Sequence, residues 1–282
     1  MIKIGEGEFG EVFRIEEGKV VKLFKLDNFD KEAFEDEYKI TKYLGQVTDF
    51  TPKVFEQIVI DSRQGYIMEE IEGKLFFDVI EEDQKSMTSY GALLGRAHKK
   101  LHDRQVTQDL NHVPKFKSFM ERFLTKNNVF SKAVNTWMMG LLNELEGDDS
   151  LLHSDFMPNN IIYLDGDLKV LDWAEPSLGP AVADVARTLN FLMDFSDFRD
   201  ANITKYSNDF IKGYLDGYYY SDTLNIEQLQ KAFILNAASE VAWAEHSKQN
   251  DDYSEFLKSF IMDNFNASES IYLDSLRDYI KA

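Results

Sequence analysis

The residues best suited to chemistry concentrate in one stretch, Leu151-Leu152-His153-Ser154-Asp155-Phe156-Met157-Pro158-Asn159-Asn160-Ile161-Ile162-Tyr163, followed twelve residues after Asn160 by Asp172 in Leu171-Asp172-Trp173. Two carboxylates and an amide thus fall on short segments between apolar, strand-like pieces, in the pattern H-x-D-x-x-x-x-N and then I/L-D-W. A carboxylate at Asp155 can accept the proton of an attacking hydroxyl. Asn160 and Asp172 offer oxygen ligands, which suit Mg2+, a hard cation that bridges phosphate oxygens. Ordinary polar turns also favour Asp and Asn. The joint spacing of all three is nevertheless what phosphoryl transfer requires: a positioned nucleophile, a metal and cations on the phosphates.

A second constellation lies at the N-terminus, where Gly5-Glu6-Gly7-Glu8-Phe9-Gly10-Glu11-Val12 fits G-x-G-x-x-G-x-V. Glycines suit a place where backbone must approach a ligand closely. A dinucleotide-binding fingerprint would need a core strand before it and a helix after it. Here only Ile2-Lys3-Ile4 precedes and a β-branched hairpin follows, the context of the loop that covers nucleotide phosphates in kinases. Lys22 lies in the second hairpin strand, twelve residues after Gly10. A lysine inside an apolar strand needs a carboxylate or a phosphate if the strand is buried. The next helix offers Glu35 and Glu37, of which Glu37, seven residues before Leu44, is the better placed. A solvent-facing lysine on an edge strand is the alternative.

Together these motifs resemble the aminoglycoside phosphotransferase and choline kinase-like family of the protein-kinase-like superfamily. The catalytic-loop pattern, an Asp followed by Trp at Asp172-Trp173, the G-x-x-x-x-D-x-A segment from Gly179 to Ala186, the helix ending Leu101-His102 and the segment Met68 to Gly73 all carry the likeness, which runs from Gly5 to about Arg187. The resemblance implies Asp155 as catalytic base and Asn160 and Asp172 as Mg2+ ligands. It implies that Lys22 binds the α- and β-phosphates of ATP or GTP and pairs with Glu37. Gly5, Gly7 and Gly10 would close over the triphosphate, and Glu69, Glu70 and Ile71 would offer backbone groups to the nucleobase. His153 and Asp184 would support the catalytic loop. Ser154 departs from the family's usual glycine, and no A-P-E segment follows Asp172. That absence argues against a Ser/Thr protein kinase, and the intact Lys22, Asp155, Asn160 and Asp172 argue against a nucleotide-binding pseudokinase.

The elements that must position these residues follow from hydrophobic period. Val12–Ile15 and Val20–Phe24 around a Glu16–Lys19 turn read as a hairpin, Asp30–Leu44 as a helix, and Val54–Ile60 and Tyr66–Met68 as two strands joined through 61–65. From about residue 86 the pattern is helical: 90–102, 116–124, 132–145, 181–194 and most of the remainder, interrupted by the island 150–179 with strands near 161–163 and 169–171. The fold class is therefore α+β. With the resemblance it becomes a two-lobed protein-kinase-like fold, a small β-rich N-lobe over 1–70 and a large, mostly helical C-lobe over 71–282.

Composition bounds the function. The 282 residues carry 50 Asp and Glu against 31 Lys and Arg, a net charge of −19, and no cysteine. Disulfides, cysteine-ligated zinc and cysteine nucleophiles are excluded. The charge repels nucleic acid and anionic lipid. No signal-like segment and no apolar run near ~18 residues occurs, so the expected location is the cytoplasm. The charge and the resemblance together point to a small, cationic hydroxyl acceptor such as an aminoglycoside or a choline-like amine. Oligomeric state is not encoded in these features. His98 and His102 have the i, i+4 spacing of metal ligands, but the residue after His98 is Lys and no third ligand is indicated. Tyr218-Tyr219-Tyr220 read chiefly as packing residues, and Phe191, Leu192 and Phe195 as core. Glu240, Trp243 and Glu245 read as a solvated helix face, or else as an acidic lining for an amine.

Overall fold

A computed structural model describes residues 1–7, 9–27, 29–104, 110, 112–147, 149–193, 204–248, 252–267 and 271, with side chains in the seventh helix from residue 208 onward. Asp194 and Phe195, expected in a helix and in the core, lie outside the described residues. The chain divides into two compact units, Met1–Glu82 with Pro158–Pro176, and Asp83–Met157 with Ser177–Ala282.

The first unit is built on a five-stranded antiparallel sheet in the order β1-β2-β3-β5-β4, from β1 (Ile2–Glu6), β2 (Gly10–Glu16), β3 (Lys19–Phe24), β4 (Val54–Ile60) and β5 (Arg63–Glu69). Its hairpins turn where the sequence supplies residues that tolerate positive φ: Gly18 at 73°, and Asp61 and Ser62 at 50° and 65°. The second of these turns is two residues long, tighter than the 61–65 stretch expected. Helix α1 (Lys31–Val47) starts at Asp30, whose carboxylate accepts from Glu32 N at 2.8 Å and Ala33 N at 3.2 Å. It buries Phe34, Ile40 and Leu44 at near 3.6-residue spacing, and Phe34 joins Phe24, Val54 and Tyr66 in an aromatic-rich core.

Helix α2 (Phe76–Glu82) and a three-stranded sheet complete this unit, in the order β6-β8-β9 from β6 (Lys74–Leu75), β8 (Ile161–Leu164) and β9 (Asp167–Val170). The single cut expected after residue 70 therefore differs from the division observed. Because β8 pairs with β6, residues 158–176 belong with the first unit, and that unit runs on to Glu82.

The second unit contains the helices α3 (Met87–His102), α4 (Phe116–Lys126), α5 (Lys132–Asn143), α6 (Ala181–Met193), α7 (Thr204–Tyr218), α8 (Ile226–Ser247) and α9 (Asp252–Asn266), with β7 (Ser150–Leu152) paired to β10 (Ser177–Gly179). Helices α3 and α7 approach backbone to backbone. A Cβ added at Gly91 or Gly95 would overlap the carbonyls of Phe210 or Tyr214, and one at Gly213 or Gly217 those of Thr88 or Ala92. Among the described residues no helix is long and apolar enough to cross a membrane.

Candidate active site

Within the first unit, strand β3 places Lys22 between buried Val21 and Leu23, with 9% of the lysine exposed. The pairing expected of it is present: Nζ donates to Glu37 Oε1 at 2.6 Å. Two partners were not foreseen. Nζ also donates to Asp172 Oδ1 at 2.8 Å, and Tyr66 Oη, from the residue facing Lys22 across the β3–β5 ladder, donates to the same Glu37 oxygen at 2.6 Å. Burial works against the Lys22 charge, but Glu37 and Asp172 outweigh it and hold its pKa above the ordinary lysine value. Burial pushes the Glu37 carboxyl up, against the pull of Lys22.

Asp172 adopts a left-handed φ of 59° and keeps 40% of its side chain exposed. The neighbouring Leu171 N donates to Asn160 O at 2.8 Å, which ties the two segments carrying Asn160 and Asp172 together. Their donor set, one carboxylate and one amide oxygen, consists of oxygens alone and fits a hard divalent cation.

The glycine-rich segment forms the end of β1, the start of β2 and the turn between them, closed by Gly7 N donating to Gly10 O at 2.9 Å. None of Gly5, Gly7 and Gly10 takes a positive φ. A Cβ at Gly7 would meet nothing within 4 Å and one at Gly5 only Val12 at ordinary contact distance. The local fold does not itself require glycine at these two positions, whereas close approach of a ligand does. At the end of β5, Glu69 N donates to Lys53 O and Glu70 N to Gly18 O. Those two amides are therefore engaged, which narrows the three residues expected to offer backbone groups. The Glu70 side chain accepts from Arg14 Nε at 2.7 Å.

The second unit carries His153, Ser154 and Asp155 just beyond β7. Asp155 is half-buried, and its N donates to His153 Nδ1 at 3.2 Å. Ser154 has a φ of 66°. That region favours glycine and costs other residues of order 1–3 kcal/mol. The loop is held from α6. Asp184, fully buried, accepts from His153 N at 2.6 Å on Oδ2 and from Ser154 N at 2.9 Å on Oδ1. Thr188 Oγ1 donates to Phe156 O at 3.1 Å, and Arg187 Nε to Ser154 O at 3.4 Å.

His98 and His102 acquire the third ligand-type group that the sequence did not indicate. Asp184 Oδ2 lies 3.0 Å from His98 Nε2 and 3.2 Å from His102 Nε2, and all three side chains are buried. That oxygen already accepts the His153 amide. Hydrogen bonding thus accounts for the cluster. Burial opposes the Asp184 charge, but the two imidazoles hold its carboxyl well below the usual range, and burial pushes the His98 imidazole down to about 4. Tyr218 is buried with its hydroxyl 2.7 Å from His102 Nδ1, whereas Tyr220 is 68% exposed. On α8, Glu240 pairs with Arg187, and Glu245 accepts from Lys258 Nζ at 2.6 Å, so both acids of the expected acidic face have cationic partners in the chain.

The sequence profile of the APH phosphotransferase enzyme family matches residues 2–221. The chain belongs to that family. APH members are small-molecule phosphotransferases, and this protein is accordingly a kinase-type enzyme with the α+β fold expected. Among solved structures it is similar to amicoumacin kinase hAmiN in complex with AMP-PNP, Ca2+ and Ami, at 14% identity and a TM-score of 0.66 over 96% of this chain and 89% of that one. A thermostable mutant of aminoglycoside phosphotransferase APH(4)-Ia, in ternary complex with AMP-PNP and hygromycin B, gives 12% identity and a TM-score of 0.66 over 95% and 94%. A choline/ethanolamine kinase family protein from Mesorhizobium loti gives 14% identity and a TM-score of 0.62 over 94% and 88%. At such identities the likeness is one of fold. No curated protein matches the APH chain in sequence.

Proposed function

We propose that this APH-family enzyme transfers the γ-phosphoryl group of ATP or GTP to a hydroxyl of a small cationic molecule, in the cytoplasm where those nucleotides and Mg2+ are available. The unit of residues 1–82 and 158–176 would hold the nucleotide and its metal, and the acceptor would be bound from within 83–157 and 177–282. The observation that carries the reading is Lys22, a buried ammonium held by Glu37 and facing Asp172. It offers a pre-aimed charge to the α- and β-phosphates. Gly5 and Gly7 leave room for the triphosphate, Gly10 packs closely on the Leu23 carbonyl and the Lys22 side chain, and with the Glu69 and Glu70 amides engaged, the Ile71 amide is the donor for the nucleobase.

Asn160 and Asp172 would hold Mg2+, which neutralises phosphate charge when bound. Asp155 accepts the hydroxyl proton as the acceptor oxygen bonds to the γ-phosphorus. The bond from that phosphorus to the bridging oxygen breaks, and the nucleoside diphosphate leaves with the electron pair. The net charge of −19 supports a cationic acceptor. The neighbours whose structures hold hygromycin B and amicoumacin support a small-molecule one.

The test is nucleoside diphosphate release from Mg-ATP and Mg-GTP over a panel of aminoglycosides, choline, ethanolamine, neutral sugars and nucleosides. Acceptor-dependent release with amines, lost in Asp155→Asn while nucleotide still binds, is the expected result. Release with neutral sugars alone overturns the cationic acceptor, and full turnover by Asp155→Asn overturns the mechanism.

A further inference from the structure

We propose that the paired residues His98–Tyr214 and His102–Tyr218, on α3 and α7, are positioning residues for phosphoryl transfer: acting through Asp184, they hold Ser154 in its left-handed conformation and thereby fix Asp155. This rests on the reading of Asp155 as the base.

The bonds form a ladder. Tyr214 Oη lies 2.8 Å from His98 Nδ1, and Tyr218 Oη 2.7 Å from His102 Nδ1. Both rings present Nε2 to Asp184 Oδ2. An ionised carboxylate only accepts, so each Nε2 carries a proton. His98 is neutral at pH 7, which leaves its Nδ1 as the acceptor and the Tyr214 hydroxyl as the donor. Each tyrosine thus sets the orientation of a ring, and the rings set the carboxylate that receives the His153 and Ser154 amides.

Helix geometry makes the duplicate possible. Residues 98 and 102, like 214 and 218, stand four apart on one face. The glycines at 91, 95, 213 and 217 bring the two backbones close enough for both hydroxyls to reach. A core that needed only bulk at these places would be served by apolar rings. Two imidazoles on one carboxylate, each backed by a tyrosine hydroxyl, beside a serine in a glycine-type conformation, instead describe a device that holds the loop.

The experiment crosses Tyr218→Phe and Tyr214→Phe with Ser154→Gly and reads three quantities in the full chain: kcat, nucleotide KM, and hydrogen exchange of the His153 and Ser154 amides. Each tyrosine variant is expected to lower kcat about tenfold, the equivalent of ~1.4 kcal/mol. Nucleotide KM stays unchanged, because the groups assigned to the nucleotide belong to the other unit. Exchange of the two amides accelerates. Combined with Ser154→Gly, which needs no holding in that conformation, the kcat loss shrinks to about threefold or less. A loss of equal size in both backgrounds, or unaltered amide exchange, overturns the proposal. His102→Gln keeps an N–H for Asp184 and should retain amide protection where His102→Leu loses it; equal protection in the two also overturns it. Absence of turnover in the unmodified enzyme would count against the phosphotransfer reading alone, since the exchange measurements do not depend on it.

Discussion

A lysine with 9% exposure, 2.6 Å from Glu37 and 2.8 Å from Asp172, has two separable consequences. Removing one member of a buried ion pair strands the other, at a cost of about 3–5 kcal/mol, whereas replacing both by apolar residues is often neutral. Lys22→Met should therefore lower unfolding free energy in urea by about that amount. The triple variant Lys22→Met/Glu37→Leu/Tyr66→Phe, which also removes the hydroxyl that Glu37 accepts from, should recover most of the stability and none of the turnover. Recovery of both would mean that Lys22 serves the fold alone. The Lys22–Glu37 pair is legible in the sequence because a lysine in an apolar strand demands a partner and the next helix offers few. The bond to Asp172 is not, since 150 residues separate the two and nothing local records which loops return to β3. The same holds for His98 and Tyr214, 116 residues apart. There the readable signal is the i, i+4 spacing repeated on two helices. Its histidine half stands out because two histidines four apart suggest a metal, whereas two tyrosines four apart suggest only packing.

At the scale of elements, hydrophobic period places the β2–β3 hairpin, α1 and the helices after residue 86, because each buries one face against a core. Strand β6 escapes it: two residues, Lys74 and Leu75, have no period, yet their pairing with β8 decides which unit holds 158–176. The close approach of α3 and α7 is written in Gly91-x-x-x-Gly95 and Gly213-x-x-x-Gly217, a spacing that brings small residues onto one helix face. It yields a matched pair of substitutions. Gly95→Ala would drive a methyl into the Tyr214 carbonyl and should destabilise by at least about 1–3 kcal/mol, as overpacking does. At Gly140, inside α5, an added methyl would meet nothing within 4 Å and φ is not positive, so Gly140→Ala should stabilise by roughly 0.5–1 kcal/mol. Urea midpoints moving in opposite directions are the expected result. A Gly95→Ala midpoint no lower than that of the unmodified chain would refute the close packing of α3 on α7.

For the whole molecule, an excess of 19 negative charges over 282 residues is a mean field that no single pair describes. Many of the acids do have partners: Glu37, Asp184, Glu240 and Glu245 are held by lysine, histidine or arginine. Fifty acids against 31 bases still leave a surplus that repels itself in the compact state more than in the expanded chain. Buried pairs are screened little by salt, whereas exposed charges lose most of their mutual repulsion as the Debye length contracts from about 30 Å at 0.01 M to about 8 Å at 0.15 M. The balance therefore favours the folded state as NaCl is added at pH 7, and Tm should rise by a few degrees over that range. Attractive surface pairs such as Lys74–Glu82 weaken over the same interval, but each contributes about 1 kcal/mol or less. A Tm that falls with salt would show that attraction among exposed pairs outweighs the surplus. It would also remove the net field as a ground for expecting a cationic acceptor, because a field too weak to strain the fold is too weak to gather amines to it.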